Sequence, residues 1–254
     1  MNQEDVERSF INAVKNQGLE FETFDGKVST EQVGMNIFYS SHLTSSSLPR
    51  LNSKYKVYLS PKLNDVWQQI QIGVAGINYD VINSNYKQEN QKEIGFYMIG
   101  EEQSDGSIII TNIEFQKDNL QSRHVHADES FVDSIVDRAM CLKNEGRKPI
   151  LFKGHTHPAQ KCLNRFQNSW SFGDLYSAFT VSDRYKDKLQ TINVLITPSL
   201  DVNFLFYDRN LEKFYRFSEG MHVMDSSTGR FVADKSYSDP NADAVKYDIK
   251  QFNI

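Results

Sequence analysis

Apolar and polar positions along the chain change from strand-like alternation to helical spacing and back. Residues 55–59, YKVYL, alternate as a half-buried strand does, and residues 60–74 then carry apolar side chains at helical spacing. The continuous apolar run at 94–100 is typical of a buried strand, and 106–115 indicates its neighbour. The short polar link around SDG joins these two strands as a hairpin. This part of the chain therefore predicts a strand, a helix and a β-hairpin.

Further elements follow from the same spacing. Helices are predicted at 130–144 and at 172–182, and a short apolar strand at 149–152 leads into Gly154. The remaining predictions are a helix at 3–16 and strands at 191–197, 202–207 and 213–217. The mixed order of strands and helices, with consecutive strands at the end, predicts an α+β (mixed α/β) fold. We expect a central mixed β-sheet flanked by helices.

Three regions of the chain differ in composition. Residues 1–54 hold the short helix and then a polar stretch with a serine run, so they form an N-terminal extension whose role stays open. Residues 55–217 hold most of the predicted elements and form the main domain. Residues 218–254 are polar with few apolar anchors, and they form a C-terminal tail that wraps the domain or is mobile.

Composition narrows the class of protein. The chain has 254 residues and a formal charge of −5, which disfavours nonspecific binding to nucleic acid. No apolar run is long enough to cross a membrane, and the acidic, polar start MNQEDVERSF is unlike a secretory signal. Two cysteines cannot build a disulfide framework or a four-cysteine zinc site, so we expect a reduced, cytoplasmic protein. Any bound metal must be held by carboxylates and by some of the six histidines.

One segment carries a metal-binding pattern. His155 and His157 follow an apolar strand, in which residues two apart point to the same side, so two imidazoles can converge on one ion. Pro158 then ends the strand. Asp174, at the start of the next predicted helix, can add a carboxylate. Two histidines and one carboxylate are a catalytic zinc set that leaves a fourth position for water, whose pKa the metal lowers toward ~7.

Each of these residues also has a purely structural interpretation. Ser171 and Asp174 have the spacing of a helix capping box, which needs no catalysis and is compatible with a metal role. A second His-x-His pair, His124 and His126, lacks both the preceding apolar strand and the following proline. We interpret it as a polar loop before the helix at 130–144, and a lesser role near the cleft stays open. An isolated pair is a weak signal, but the coincidence of motifs around the first pair favours a metal role there.

These motifs resemble those of a known metalloprotease family, JAMM (JAB1/MPN/Mov34), and within it a bacterial- or phage-type JAB domain. The family's pattern is a glutamate, then His-x-His-Pro, then Ser-x-x-Asp. The matching residues are Glu93, His155, His157, Pro158, Ser171 and Asp174, with Trp170 before the serine. EIGFYMIG at 93–100 is similar to the family's glutamate-bearing strand, although its inner glycine is displaced by one position. The resemblance covers residues 55–217.

The resemblance implies an MPN/JAB-like fold for this region and one Zn²⁺ per chain. By this resemblance His155, His157 and Asp174 would hold the metal. Glu93 would act as the general base on the attacking water, and Ser171 would donate a hydrogen bond to the oxyanion. The implied activity is that of a zinc isopeptidase or peptidase, similar to deubiquitinases. Its substrate would be a protein or peptide, with the amide bond at the tail of a ubiquitin-like protein.

Alternatives to this function and to the base stay open. A non-catalytic MPN-fold binding or scaffold module would share the fold, as would a metal-dependent hydrolase of another bond. The complete set of motif residues favours the enzyme, because a decayed site is expected to lose at least one member. Glu101, Glu102 and Glu114 are alternatives to Glu93 as the base, and each is otherwise a solvated surface charge.

The spacing within the motif departs from that of the family. His157 and Ser171 lie 14 positions apart, more than the family's compact spacing, so residues 159–170 form an inserted loop. Loops of this length are often functional, and we expect this one to shape substrate access. Cys162 in the loop could act as a nucleophile only with a base beside it, and we interpret it as a chance loop cysteine. Cys141, in the preceding predicted helix, is interpreted as a small core residue.

Overall fold

The structure of the protein is a computed structural model that describes eleven segments of the chain. The described residues are 3–23, 26–28, 41–43, 48–51, 56–71, 93–115, 129–157, 169–197, 200–217, 219–225 and 227–234. Within these segments no helix combines the length and the apolar character that crossing a membrane requires.

The described residues form a mixed α+β architecture. The helices are α1 (Gln3–Gln17), α2 (64–71, directly after a 3-10 turn at Pro61–Leu63), α3 (Glu129–Asn144) and α4 (Phe172–Arg184). The first six strands are β1 (Phe21–Thr23), β2 (Gly26–Val28), β3 (His42–Leu43), β4 (Val57–Leu59), β5 (Gly95–Glu102) and β6 (Ile108–Phe115). The other six are β7 (Pro149–Thr156), β8 (Gln190–Ile196), β9 (Val202–Asp208), β10 (Lys213–Arg216), β11 (Met221–Asp225) and β12 (Arg230–Ala233).

Nine of these strands form one mixed sheet in the order β10-β9-β8-β7-β5-β6-β4-β11-β12. β5 pairs antiparallel with both β6 and β7, and β7 pairs parallel with β8. β7 is therefore an inner strand with hydrogen bonds on both sides, which fixes the direction of each side chain along it. A separate three-stranded sheet, in the order β2-β1-β3, comes from the N-terminal region.

The two faces of β7 pack against different layers. Ile150 and Phe152 lie in the core cluster that also contains Trp67 of α2. Leu151 points the other way, into a cluster with Ile135 and other residues of α3. Because side chains alternate along a strand, every odd-numbered position of β7 faces the side that carries α3 and α4.

α4 forms beside this face because its sequence supplies both a cap and an apolar stripe. Ser171 is the N-cap residue, with extended backbone angles and a side chain that accepts a bond from the first turn. Leu175, Ala178 and Phe179, at i, i+3 and i+4, are buried in a cluster with Leu195 of β8. The cap and the stripe together anchor the first turn of α4 near the end of β7.

The N-terminal region packs against α4. The ring of Phe10 in α1 lies 5.0 Å from that of Phe172 and 5.2 Å from that of Tyr176, centroid to centroid. The ring of Phe21 in β1 lies 5.3 Å from that of Phe172. At the other end of the large sheet, β11 pairs parallel with β4 and antiparallel with β12. Described residues before 55 and after 217 thus add to the core and the sheet, while the division of the chain into regions by role stays a prediction.

The mixed α+β architecture and central mixed sheet predicted from the sequence are confirmed. Each predicted helix and strand has a counterpart, although the helix predicted over 60–74 is described only as far as residue 71. Five strands are not predicted: β1, β2, β3, β11 and β12. They contain two to five residues each, a length at which alternation is a weak signal. β4 and β10 are as short, but they lie in the longer runs YKVYL and KFYRF.

The prediction that Cys141 is a core residue is wrong, because its side chain is exposed. The buried face of α3 is formed by Val132, Ile135, Val136 and Ala139. Cys141 follows Ala139 by two positions, which is a rotation of about 200° around a helix. It therefore lies on the face of α3 that points away from the core.

Candidate metal centre

The end of β7 and the start of α4 bring three metal-ligating side chains together. His155 and His157 share one face of the strand, with 3.2 Å between their Nε2 atoms. Asp174, in the first turn of α4, places Oδ1 3.0 Å from Nε2 of His155 and Oδ2 3.4 Å from Nε2 of His157. The three side chains are only 10–16% exposed. The His-x-His and Ser-x-x-Asp motifs therefore lie next to each other in the structure, at a nearly buried position.

The geometry and the donor chemistry of this group fit a metal ion. One ligand atom from each of the three residues lies within 4.8 Å of the others. Tetrahedral coordination with metal–ligand distances near 2.1 Å separates the ligand atoms by about 3.4 Å. The 3.2 Å between the two imidazoles and the 3.0 Å from His155 to Oδ1 are close to that value, and the 3.4 Å from His157 is to the other carboxylate oxygen, Oδ2. Two imidazoles and one carboxylate suit several divalent transition metals, zinc among them.

A capping box fixes the orientation of Asp174. The backbone N–H and the hydroxyl of Ser171 donate to Oδ2 of Asp174 at 2.7 and 2.8 Å. The backbone N–H of Asp174 donates in return to the Ser171 hydroxyl oxygen at 3.1 Å. The predicted capping box is thus confirmed, and it is compatible with a ligand role because the carboxylate still faces both imidazoles.

The electrostatic environment keeps Asp174 ionised. Burial would raise the pKa of its carboxyl, but charge interactions and hydrogen bonds with His155 and His157 hold that pKa well below its usual range. A carboxylate at this position therefore carries its full negative charge at neutral pH. Such a charge, nearly excluded from water, attracts a cation more strongly than a surface carboxylate does.

The structure places Glu93 beside this group. The register of β5 and β7 pairs Gly95 with His155, and a hydrogen bond from the Thr156 N–H to the Ile94 carbonyl (3.1 Å) continues this pairing, so Glu93 comes next, beside His157. Directly opposite residues of an antiparallel pair project to the same side. Burial raises the pKa of Glu93, while His155 and His157 act in the opposite direction. Both the register and these interactions bring this carboxyl group to the histidines.

The three alternative glutamates are engaged with cations. The ion pairs are Glu101 with Arg147, Glu102 with Lys148 and Glu114 with Arg138. Glu101 lies opposite Pro149, at the end of β7 that is remote from the histidines. Glu114 lies on β6, two strands from β7. Of the four carboxyl groups considered as the base, Glu93 is the one that the structure brings to the candidate ligands.

Sequence reasoning missed a lysine beneath the histidines. Lys153 precedes His155 by two positions and lies on the same face of β7, where its Nζ donates to the Ser177 hydroxyl at 2.7 Å. Ser177 is on α4, three positions after Asp174. Burial lowers the pKa of Lys153, while Asp174 acts in the opposite direction. The strand periodicity that paired the two histidines could have identified this residue too.

Sequence reasoning also missed His42, which β3 brings from the N-terminal region. This residue forms an antiparallel bridge with Ser171. Burial and the nearby His157 lower the pKa of His42 to about 4, while Asp174 acts in the opposite direction. The imidazole is therefore neutral at neutral pH. No pattern in the sequence connects position 42 with position 171, because the two are joined only by the tertiary fold.

Some sequence predictions fall outside the described residues. These are His124, His126, Pro158, Cys162 and the loop up to residue 168. Trp170, which accompanies the serine of the motif, is described and buried. The centroid of its ring lies 6.1 Å from that of His155, so it forms part of the wall around the candidate ligands.

The arrangement can hold a cation and move a proton. Two imidazoles and a carboxylate face one point, and a second carboxyl group, that of Glu93, lies beside them. Compared with known proteins, the chain matches no family model and no curated protein. The resemblance to the JAMM family therefore rests on the motif residues themselves and stays a hypothesis.

Proposed function

We propose that the protein is a zinc-dependent hydrolase of amide bonds with an MPN/JAB-type fold, an isopeptidase or peptidase that acts on the tail of a ubiquitin-like protein. The observation that carries the proposal is the convergence of His155, His157 and Asp174 at ligand spacing, with Glu93 beside them. A capping box alone accounts for Asp174 and its serine partner. It gives no reason for two imidazoles to face the same carboxylate.

In the proposed reaction, the metal ligands and the general base are different residues. When bound, zinc supplies the Lewis acidity that activates water and polarises a carbonyl near neutral pH. His155, His157 and Asp174 hold the ion. Glu93 accepts a proton from the attacking water and delivers it to the leaving amine. Burial raises the pKa of this carboxyl and brings it nearer to the operating pH. Such a pKa suits both the acceptance of the proton from water and its delivery to the amine.

Ser171 stabilises the charge that develops on the substrate's carbonyl oxygen. Its hydroxyl oxygen is fixed by the backbone N–H of Asp174, while its proton is directed at Oδ2 of that residue. Rotation about a single C–O bond redirects the proton to a substrate oxygen without moving the serine. One donor of this kind typically contributes ~10²–10³ in rate.

A cleavage panel with a matched control tests the proposal. The protein is stripped with a chelator, reloaded with zinc and incubated with ubiquitin-like fusions that carry a linear or an isopeptide bond. Products are identified by mass spectrometry. The control is Glu93→Gln, which preserves the shape of the side chain and leaves the three ligands intact. We expect cleavage by the wild type and none by Glu93→Gln at equal zinc content, because the glutamine cannot accept the proton.

Other outcomes point to other functions. Zinc binding without cleavage of any fusion would favour the binding module or a hydrolase of another bond. Equal cleavage by Glu93→Gln and wild type would assign the base to another residue. A wild type that binds no zinc after reloading would overturn the proposal.

A further inference from the structure

We propose that His42 is a second hydrogen-bond donor beside Ser171, and that it binds the carbonyl oxygen of the substrate's scissile amide. The inference rests on the proposed function, because it adds a residue to the same site. It also assigns the N-terminal region a part in substrate binding, since β3 belongs to that region.

The backbone sets His42 directly beside Ser171. Two hydrogen bonds flank the bridge between these residues. They run from the Leu43 N–H to the Trp170 carbonyl (2.7 Å) and from the Phe172 N–H to the Ser41 carbonyl (2.9 Å). His42 and Ser171 therefore form a non-hydrogen-bonded antiparallel pair, in which Cα atoms approach to about 4.5 Å and side chains lie closest. The imidazole thus projects on the same side as the serine hydroxyl.

Packing on both sides fixes the strand that carries His42. In the pairing of β3 with β1, Leu43 lies opposite Phe21. These two side chains are 4% and 0% exposed, and the ring of Phe21 lies 5.3 Å from that of Phe172 at the start of α4. A donor held in this way is already in place before a ligand arrives, so little conformational entropy is lost on binding.

The site can accommodate a hydrogen-bond donor besides those that form the capping box. The hydroxyl of Ser171 has one proton, which bonds Oδ2 of Asp174 at 2.8 Å in this structure, so this residue supplies at most one donor to a substrate oxygen. Sites that stabilise a developing oxyanion commonly aim several donors at it, and a neutral imidazole offers one N–H. The bridge of His42 to Ser171, the N-cap residue of the helix that carries Asp174, sets it near the candidate ligands. The side chain is half-buried and its Nδ1 is enclosed, so Nε2 is the ring nitrogen that would reach a substrate.

Binding of acetohydroxamate tests the inference without using turnover. This probe chelates metals and presents a carbonyl oxygen, and its dissociation constant is measured by titration calorimetry on the zinc-loaded protein. The variants are His42→Ala and His42→Gln, of which the second keeps an N–H donor. His222→Ala is the control for the loss of a histidine elsewhere, because β11 lies four strands from β7. Zinc affinity is measured for each protein by chelator competition. His42→Phe replaces the alanine variant if thermal unfolding shows that the latter does not fold.

We expect acetohydroxamate to bind His42→Ala about tenfold more weakly than the wild type. His42→Gln should retain most of the affinity, His222→Ala all of it, and zinc affinity should stay unchanged throughout. Equal acetohydroxamate affinity in wild type and His42→Ala overturns the inference and leaves the proposed function intact. Loss of zinc from His42→Ala also overturns it, because His42 would then support the ligands rather than the substrate. A wild type that binds no zinc contradicts the proposed function itself.

Discussion

Gly154 lies under the ring of Phe96, directly before the first candidate ligand, and we predict that one added methyl group there destabilises the protein. The two residues are opposite each other in the pairing of β5 with β7. A Cβ on Gly154 would lie 2.1 Å from Cε2 and 2.2 Å from Cζ of Phe96. Since ordinary van der Waals contact begins at 3.4 Å, the ring or the strand must move by more than 1 Å.

The surroundings leave little room for that movement. Phe96 is fully buried, and its ring packs against those of Trp67 and Phe115 at centroid distances of 6.3 and 6.2 Å. Overpacking in a dense core costs about 1–3 kcal/mol, and a displacement of this size belongs at the upper end. Removing the excess flexibility of a glycine in a strand returns only about 0.5–1 kcal/mol. We therefore expect Gly154→Ala to lower the free energy of unfolding by about 2 kcal/mol.

A double-mutant cycle with Phe96→Leu isolates the steric contact. Free energies of unfolding are taken from urea titrations followed by tryptophan fluorescence. The smaller leucine relieves the contact, so Gly154→Ala should cost less than about 0.5 kcal/mol in that background. An equal cost in both backgrounds, or no cost in the wild type, would refute the steric reasoning.

Gly100→Ala is the positional control for the effect on the site. A Cβ there would lie 2.7 Å from the ring of Phe152, so this substitution should also destabilise the protein. Gly100 lies opposite Ile150, at the end of β7 remote from the histidines. We therefore expect Gly154→Ala to weaken zinc binding and Gly100→Ala to leave it unchanged, as measured by chelator competition. Equal effects on zinc affinity would show that the position next to His155 has no special influence.

Three further predictions concern side chains around the candidate ligands. Ser171→Ala removes both hydroxyl bonds of the α4 cap and should lower the free energy of unfolding by about 1 kcal/mol in urea titrations. Lys153→Met removes a buried cation that interacts with Asp174, so zinc affinity in chelator competition should rise roughly fivefold. Weaker zinc binding would show that the bond of Lys153 to Ser177 matters more than its charge. In the metal-free protein, burial raises the pKa of Glu93, so the stability that this group contributes in acid is lost as the pH rises through the raised value. Glu93→Gln should therefore unfold at a higher temperature than wild type near neutral pH and at the same temperature in acid, where both side chains are neutral. A lower unfolding temperature for Glu93→Gln near neutral pH would contradict this reading of its burial.

The elements that the sequence predicts are those whose periodicity extends over several residues. α3 and α4 show a continuous apolar stripe, and β5 and β7 are long inner strands with apolar bodies. β3 has two residues and β11 has five. Their places are set by partners far away in the chain, such as the parallel pairing of β11 with β4. Such pairing leaves no local pattern.

In the candidate site, too, some residues are predictable from a local sequence pattern and others are not. Strand periodicity predicts that His155 and His157 converge, and the cap at Ser171 explains why a helix begins where Asp174 can meet them. The same periodicity applied one step further back would have included Lys153. His42 has no such signal, because its approach to the site depends on the pairing of β3 with the start of α4.

The zinc content of the purified protein tests the proposed metal centre most directly. The protein is stripped with a chelator, dialysed against zinc, desalted and analysed by inductively coupled plasma mass spectrometry, with His155→Ala and Asp174→Ala prepared in parallel. Circular dichroism checks that the variants are folded. We expect about one zinc ion per chain in the wild type and its loss from both variants, because each removes one of three protein ligands. A folded wild type that stays free of zinc after this treatment would contradict the proposed centre.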